Sequence, residues 1–365
     1  MKSSISLIGL LLLLFGATST AQDYEVYATF DGVRPANPAV AKDGSIFVTM
    51  HPMDGADVSL MKVDAKGNHQ IFPSKEWASN PVKGIGIANA IGIQATEDNK
   101  LYVLDWGNAE HSAKVIVWDL AKGGLDRLYY IPQSIRQKND FLQDFALDQQ
   151  RKMLYIADMG RADLLGEQEP AIIALNLNTG QCKRLLTKHP SFLAGEEAAL
   201  IEGQPLTVST PEGKKPVNLG LNPIAIDPNN EWVYYGTVNA GNIYRIKSEM
   251  LADFSKTDAQ LAEGIETYGP KPASDGISVD GEGNVYITSI SESGIGVTTK
   301  GNYRLLFSHK ELSWPDGMSY GSDGYFYVVI NQLHKAAALN GGKELASKPY
   351  KLIRFKSLGK NKIGR

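Results

Sequence analysis

The chain has 365 residues, of which 43% are hydrophobic and 21% charged, and its formal net charge is −3. That composition can build a sizeable core and argues against wholesale disorder. The near-neutral balance leaves no electrostatic footprint for nucleic acid or for an anionic membrane surface.

Lys2 precedes an apolar stretch over residues 5–15, and Ser19, Thr20 and Ala21 follow it. A basic start, a short apolar run and a small-residue site are the parts of a secretory signal, here cleaved after about Ala21. One exported domain over 22–365 is expected, extracellular or periplasmic, with no membrane span in the mature chain. Cys182 is the single cysteine, so no intrachain disulfide can form. Its surroundings are those of a small strand residue.

The rest of the chain repeats one pattern. A polar residue opens a small apolar run, a turn follows, and a second apolar, β-rich run closes the unit. The copies open at Asn37 (NPAVAKDGSIFVTM), Asn89 (NAIGIQATEDNKLYVLD), Gln143 (QDFALDQQRKMLYIAD), Asn222 (NPIAIDPNNEWVYYGT), Asp275 (DGISVDGEGNVYITS) and Asp316 (DGMSYGSDGYFYVVI). The steps between them are 52, 54, 79, 53 and 41 residues. Further strand-like runs follow most copies, at 60–63, 114–119, 171–175, 242–246 and 351–355. About four strands per unit of roughly 40–50 residues is the period of a β-propeller blade. The fold class expected is therefore all-β, a six-bladed propeller. The alternating strand at residues 24–30 precedes the first copy and would complete the last blade beside 351–355, leaving no long exposed edge.

Two segments break the rhythm. Residues 187–221, with Pro205, Pro211, Gly213 and Pro216, read as a surface loop or flap. Residues 248–263 read as a short helix that Ser248 or Asp258 could cap. The basic tail at 360–365 reads as frayed.

Motifs spread along the chain resemble the major royal jelly protein/yellow family. They are the run 140–148, then Tyr155-Ile156-Ala157-Asp158, the run 171–177 with Thr179-Gly180, and His189-Pro190-Ser191. Further matches are the run 220–227 with Val233-Tyr234-Tyr235, Ser274-Asp275-Gly276, Trp314-Pro315-Asp316-Gly317 and Asn331-Gln332-Leu333. The resemblance implies a secreted six-bladed propeller whose central cavity binds a small polar or aromatic molecule; some members look like binders of small amines. The family is often labelled dopachrome-conversion related. Its eukaryotic members usually carry disulfides, so a chain with Cys182 alone points to a bacterial member.

Propeller symmetry brings equivalent positions to the channel, so the column Asn37, Asn89, Gln143, Asn222, Asp275 and Asp316 is a candidate ring of side-chain oxygens. Such oxygens suit Ca²⁺ or Mg²⁺, or they cap strand starts by binding backbone N–H groups. The pattern is also similar to the calcium-dependent lactonases of the gluconolactonase/senescence-marker group. That likeness implies Ca²⁺ held by Asn222 and Asp275, with Asp275 as catalytic base. The group's early Glu ligand has Glu25 as its nearest counterpart. The ligand-binding set expected is Asn331, Asp316, Trp106, Asn89 and Gln143, with Trp106 able either to stack on a ligand or to pack a blade. The strand ends Asp105-Trp106-Gly107 and Asp158-Met159-Gly160-Arg161 place loops at the channel mouth. His51 and His334 follow inner strands and could enter the cavity. No Gly-rich phosphate loop, Gly-x-Ser-x-Gly elbow or His-Glu-x-x-His motif is present. Three functions stay open: a binding propeller, a calcium lactonase or dopachrome-type isomerase, and an extracellular interaction scaffold.

Overall fold

The computed structural model describes residues 23–364 except 65, 80 and 82–84. The expected signal segment lies outside the described residues. Six four-stranded antiparallel sheets surround a central axis. Their innermost strands are Pro35–Val40, Ala90–Ala95, Leu142–Asp148, Leu221–Ile226, Ser274–Val279 and Pro315–Tyr320. Blade 6 is closed by the N-terminal strand Glu25–Phe30, which pairs antiparallel with Tyr350–Lys356. No helix among the described residues is long and apolar enough to cross a membrane.

The blades hold together through their faces. Among the described residues, the buried apolar side chains fall into seven clusters. Six of these each join two neighbouring blades, as Tyr155 of blade 3 and Tyr235 of blade 4 share one. The second strands, such as Val285–Ser289 and Tyr325–Ile330, are almost wholly buried because both faces meet a neighbour. The seventh cluster lies at one mouth of the channel and contains Met159, Leu206, Val217, Leu219, Val238 and Trp314.

Every innermost strand carries a register shift close to its start. Bulges re-aim side chains and leave residues unpaired, and here they set which side chain meets the axis. Gly276 and Gly317 follow Asp275 and Asp316 for a steric reason. A Cβ at Gly276 would lie 2.6 Å from the Asp316 carbonyl oxygen, and one at Gly317 would lie 2.2 Å from Asn37 Oδ1. Only glycine lets adjacent strands converge that closely.

Three expectations change. The insert at 187–221 is ordered: it forms a 3₁₀ turn at Pro190–Phe192 and two hairpins, Leu200–Ile201 with Gln204–Pro205 and Thr207–Thr210 with Gly213–Pro216. Its apolar residues explain the order, since Ile201, Leu206 and Val217 are buried in the mouth cluster. The 248–263 segment is two short helices, Ser248–Ala252 and Asp258–Ala262, and the side-chain cap is Thr257, in a capping box with Gln260. The tail is held to blades 5 and 6: Gly281 N–H donates to Lys360 O (2.8 Å), Asn361 Nδ2 to Ser278 Oγ (3.1 Å) and Gly364 N–H to Tyr320 O (2.8 Å).

Candidate functional site

Counting from the strand pairing that precedes each bulge, the equivalent axial positions are Ala36, Ile91, Gln143, Asn222, Asp275 and Asp316. Blades 3 to 6 therefore carry the polar residues expected from the repeat. Blades 1 and 2 do not: Asn37 lies one residue past the position, and Asn89 two residues before it. Matching residue types along the sequence cannot register the bulge.

Asp275 is the hub. Its Oδ1 accepts from Asn222 Nδ2 at 2.6 Å and its Oδ2 from the Trp314 indole N–H at 2.7 Å. It also shares a hydrogen bond with Asp316. Two carboxyls so joined must hold a proton between them. Asp316 in turn accepts from Asn331 Nδ2 at 2.6 Å. Asn331 is fully buried and spent: Nδ2 also reaches Pro35 O, and Oδ1 takes the Leu333 N–H. It lies behind Asp316 and orients it, rather than lining the cavity as expected. Arg34, itself fully buried, bonds the Asn331 carbonyl and is held by Asp54 and Glu344.

A third carboxyl, Asp144, sits next to Gln143 in the bulged strand. It accepts from Asn37 Nδ2 across the ring at 3.3 Å and from its neighbour's backbone, Phe145 N–H, at 2.8 Å. Asn37 Oδ1 is buried without a hydrogen-bond partner. The sequence pattern passed over Asp144; the signal available was a second polar residue directly after the strand opener.

Burial dominates the protonation of this group. It raises Asp144 to about 7, with the Asp275 charge adding to the effect. Asp275 is raised by burial against the pull of Trp314 and Asn222, and Asp316 is raised furthest, by burial and then by the Asp275 charge. Lys271, also sealed in, is lowered to about 7 by burial. Its ammonium donates to the Thr237 and Asn239 carbonyls at 2.6 and 2.9 Å, not to a carboxylate.

Above this floor is a cavity with about 40 Å³ of free space, room for a few waters. Gln143, Asn222, Asp275 and Asp316 form its polar side, and His51 stands in a wall that is otherwise apolar: Ile91, Phe141, Met159, Leu206, Val217 and Trp314 are examples. The roof comes from the ordered insert. Glu202, in the turn of its first hairpin, is bonded by Ser313 Oγ and lies 3.6 Å from His334 Nε2 and 3.5 Å from Lys335 Nζ. His334 stacks on Trp314 with centroids 5.6 Å apart. Trp314 itself has φ of 54° and is 2% exposed. A buried tryptophan in the left-handed region costs about 1–3 kcal/mol. The indole bond to Asp275 and the stack on His334 hold it there.

Other expected residues lie elsewhere. Asn89 spans the rim, donating to Gly107 O at 2.8 Å. Trp106 packs edge-on against Phe141, 4.5 Å between centroids, as blade packing. Neither lines the cavity. Asp105 and Asp158 close rim loops: each accepts backbone N–H groups and pairs with a buried cation, Lys114 at 2.8 Å and Arg184 at 2.6 Å. Glu25 pairs with Arg354 at 2.7 Å on an outer strand, far in topology from any axial position. Cys182 lies on the outer strand Cys182–Leu185, half-buried.

The model of the family described as major royal jelly protein matches residues 88–352. The chain belongs to the major royal jelly protein family. That match runs from the edge of blade 2 into the strand Tyr350–Lys356 of blade 6 and includes the Asp275–Asp316 floor and the insert. No curated protein sequence matches significantly. Among solved structures the chain is similar to a luciferin-regenerating enzyme, at 12% identity and TM-score 0.55 over 92% of this chain and 96% of that one. It is similar to a calcium-binding protein, regucalcin, from Agrobacterium tumefaciens, at 13% identity and TM-score 0.55 over 93% and 97%. A gluconolactonase-like protein aligns at 10% identity and TM-score 0.56 over 95% of each chain. At these identities the likeness establishes the propeller fold.

The calcium expectation can be tested on the donor set. Both Asp275 oxygens are already occupied by N–H donors. Asn222 turns its nitrogen toward Asp275. The axial position in blade 1 is Ala36, which offers no ligand. Among the described residues no three His, Cys, Asp or Glu side chains are grouped to hold a metal. A hard cation taking six to eight oxygens does not fit these residues as arranged.

Proposed function

We propose that this member of the major royal jelly protein family is an exported binding protein whose central cavity takes a small molecule with a flat apolar body and a protonated amine head. One observation carries the reading. The cavity joins apolar walls to a floor of buried carboxyls, and among the described residues no Lys or Arg ion-pairs with Asp275 or Asp316. An occupant's ammonium would supply the missing charge, and aromatic walls suit its body. The free space is too small for such an occupant with the roof closed, so binding requires the insert to lift; the Glu202 contacts with Ser313, His334 and Lys335 are what must part.

Calorimetry of the mature protein with phenethylamine tests this reading. Saturable binding is expected, weakened at least tenfold by Asp275→Asn or Asp316→Asn. Binding that both substitutions leave unchanged places the occupant elsewhere. Sequencing the N-terminus of the exported product tests cleavage after about Ala21.

The proton shared by Asp275 and Asp316 in a water-poor cavity favours a second reading, an isomerase that moves a proton on a catechol-derived substrate. It requires turnover of a dopachrome-type compound that Asp275→Asn abolishes.

A further inference from the structure

Among the described residues, His51 is the one polar side chain in the apolar wall of the cavity. It directly follows the second strand of blade 1, Ile46–Met50, and is 2% exposed. Its Nδ1 accepts the Met53 backbone N–H at 3.2 Å, capping the short turn Pro52–Asp54. With that lone pair in use, the neutral ring carries its hydrogen on Nε2. Nε2 has no partner among the described residues, and the ring lines the cavity. Protonation does not rescue the situation: burial, and then the Arg34 guanidinium held by Asp54 and Glu344, lower the ring to about 3. The Nε2–H is not sealed inside the protein but opens onto the cavity's free space, where an occupant's acceptor would take the place of water.

We propose that His51 Nε2–H reads a hydrogen-bond acceptor on the occupant, so that the cavity selects molecules polar at two points: an ammonium at the Asp275–Asp316 floor and an ether, carbonyl or hydroxyl oxygen at the wall. This rests on the binding reading above and adds the second anchor. Blade 1 supplies the donor and blades 5 and 6 the carboxyls, so the two anchors come from different blades and span the apolar body between them. Selectivity of this type is strong because the wrong occupant leaves the donor unsatisfied.

An isosteric pair isolates the effect: 4-methoxyphenethylamine against 4-ethylphenethylamine, an oxygen exchanged for a methylene. The protein is expected to bind the methoxy compound about tenfold tighter. His51→Leu should erase that preference while still binding the ethyl compound, which also reports that the variant is folded. His51→Gln, which keeps an N–H donor, should retain part of the preference. Equal affinity of the unaltered protein for both compounds, or a preference that survives in His51→Leu, overturns the role of His51 and leaves the amine reading standing. Binding of neither compound overturns both. A ligand-free readout is the ¹⁵N signature of His51, expected as the Nε2–H tautomer without titration from pH 8 to pH 5. A protonated or Nδ1–H ring in that range refutes the assignment.

Discussion

Two sets of buried carboxylates sit on the same propeller and are treated in opposite ways. At the rim of blades 2 and 3, Asp105 and Asp158 each have a cation in contact and several backbone N–H donors. At the axis, Asp144, Asp275 and Asp316 have amides, an indole and one another, but no ion pair. The rim set is complete and holds loops in place. Burial pushes every axial member toward protonation, as it does Asp158 at the rim. At the rim Arg184 is in contact and pulls back, whereas at the axis Lys271 acts on Asp275 only from a distance while it bonds backbone carbonyls. Burial alone therefore does not mark a site; burial without a counter-charge, beside a cavity, does.

The comparison predicts its largest effect at the rim. Lys114→Ala strands a fully buried Asp105 and should cost about 3–5 kcal/mol, read from urea unfolding. Asp316→Asn at the axis should cost little, because burial already drives this carboxyl toward its neutral form and Asn is a neutral group of the same shape. A loss as large as that of Lys114→Ala would erase the distinction.

The pH dependence sharpens it. Asp144 is raised to about 7 in the fold against an ordinary value near 3.8. Between those values the native state binds the extra proton, so this group makes stability fall as pH rises from about 4 to 7, by up to about 1.4 kcal/mol per unit. Lys271 is lowered to about 7 from 10.5. There the unfolded chain binds the extra proton, and stability rises from about pH 7 to 10.5. His51, lowered to about 3, and His334, lowered to about 4, make stability rise with pH up to about 6.5 and oppose the Asp144 fall. The Asp144 limb is therefore read as the difference in melting temperature between the unaltered protein and Asp144→Asn, expected from about pH 4 to 7 and absent above it. A profile unaltered by that substitution would contradict the account of the axis.

A smaller effect belongs to the roof. Glu202 is partly exposed, so Glu202→Gln should change stability by less than about 1 kcal/mol. It should instead accelerate both association and release of phenethylamine in stopped-flow traces, with the affinity nearly constant. The smallest expected effect is that of calcium. Added Ca²⁺ should leave the melting temperature of the chelated protein in place, whereas a ligand at about 100 times its dissociation constant adds about 2.7 kcal/mol.

The ring of six and its closure by the N-terminal strand were legible because the repeat survives in turn residues and apolar runs. Asp275, Asp316, Asn222 and Gln143 were legible for the same reason, and all four line the cavity. Asn37 and Asn89 were misplaced because a bulge shifts the register without leaving a mark in residue type. Asn331 was expected to bind the ligand, yet it is spent on Asp316 and on backbone groups instead of facing the cavity. The roof was read as a surface loop or flap because Pro and Gly dominate its turns. Leu206, Val217 and Leu219 decide its position, and nothing in the sequence says which apolar surface they will meet. Asp144 and Lys271 matter through what lies around them, which only three-dimensional packing supplies.

The closing strand has one more consequence. Residues 25–30 and 350–356 lie far apart along the chain, yet they pair antiparallel across a register shift at Tyr27. Without residues 350–356 in place, blade 6 lacks its two outer strands and the ring presents a bare, adhesive margin to the solvent. Contacts spanning more than three hundred residues, such as Glu25 with Arg354, also put this protein among slow-maturing topologies. Because this latch needs both segments at once, a chain lacking either one leaves the ring unshut.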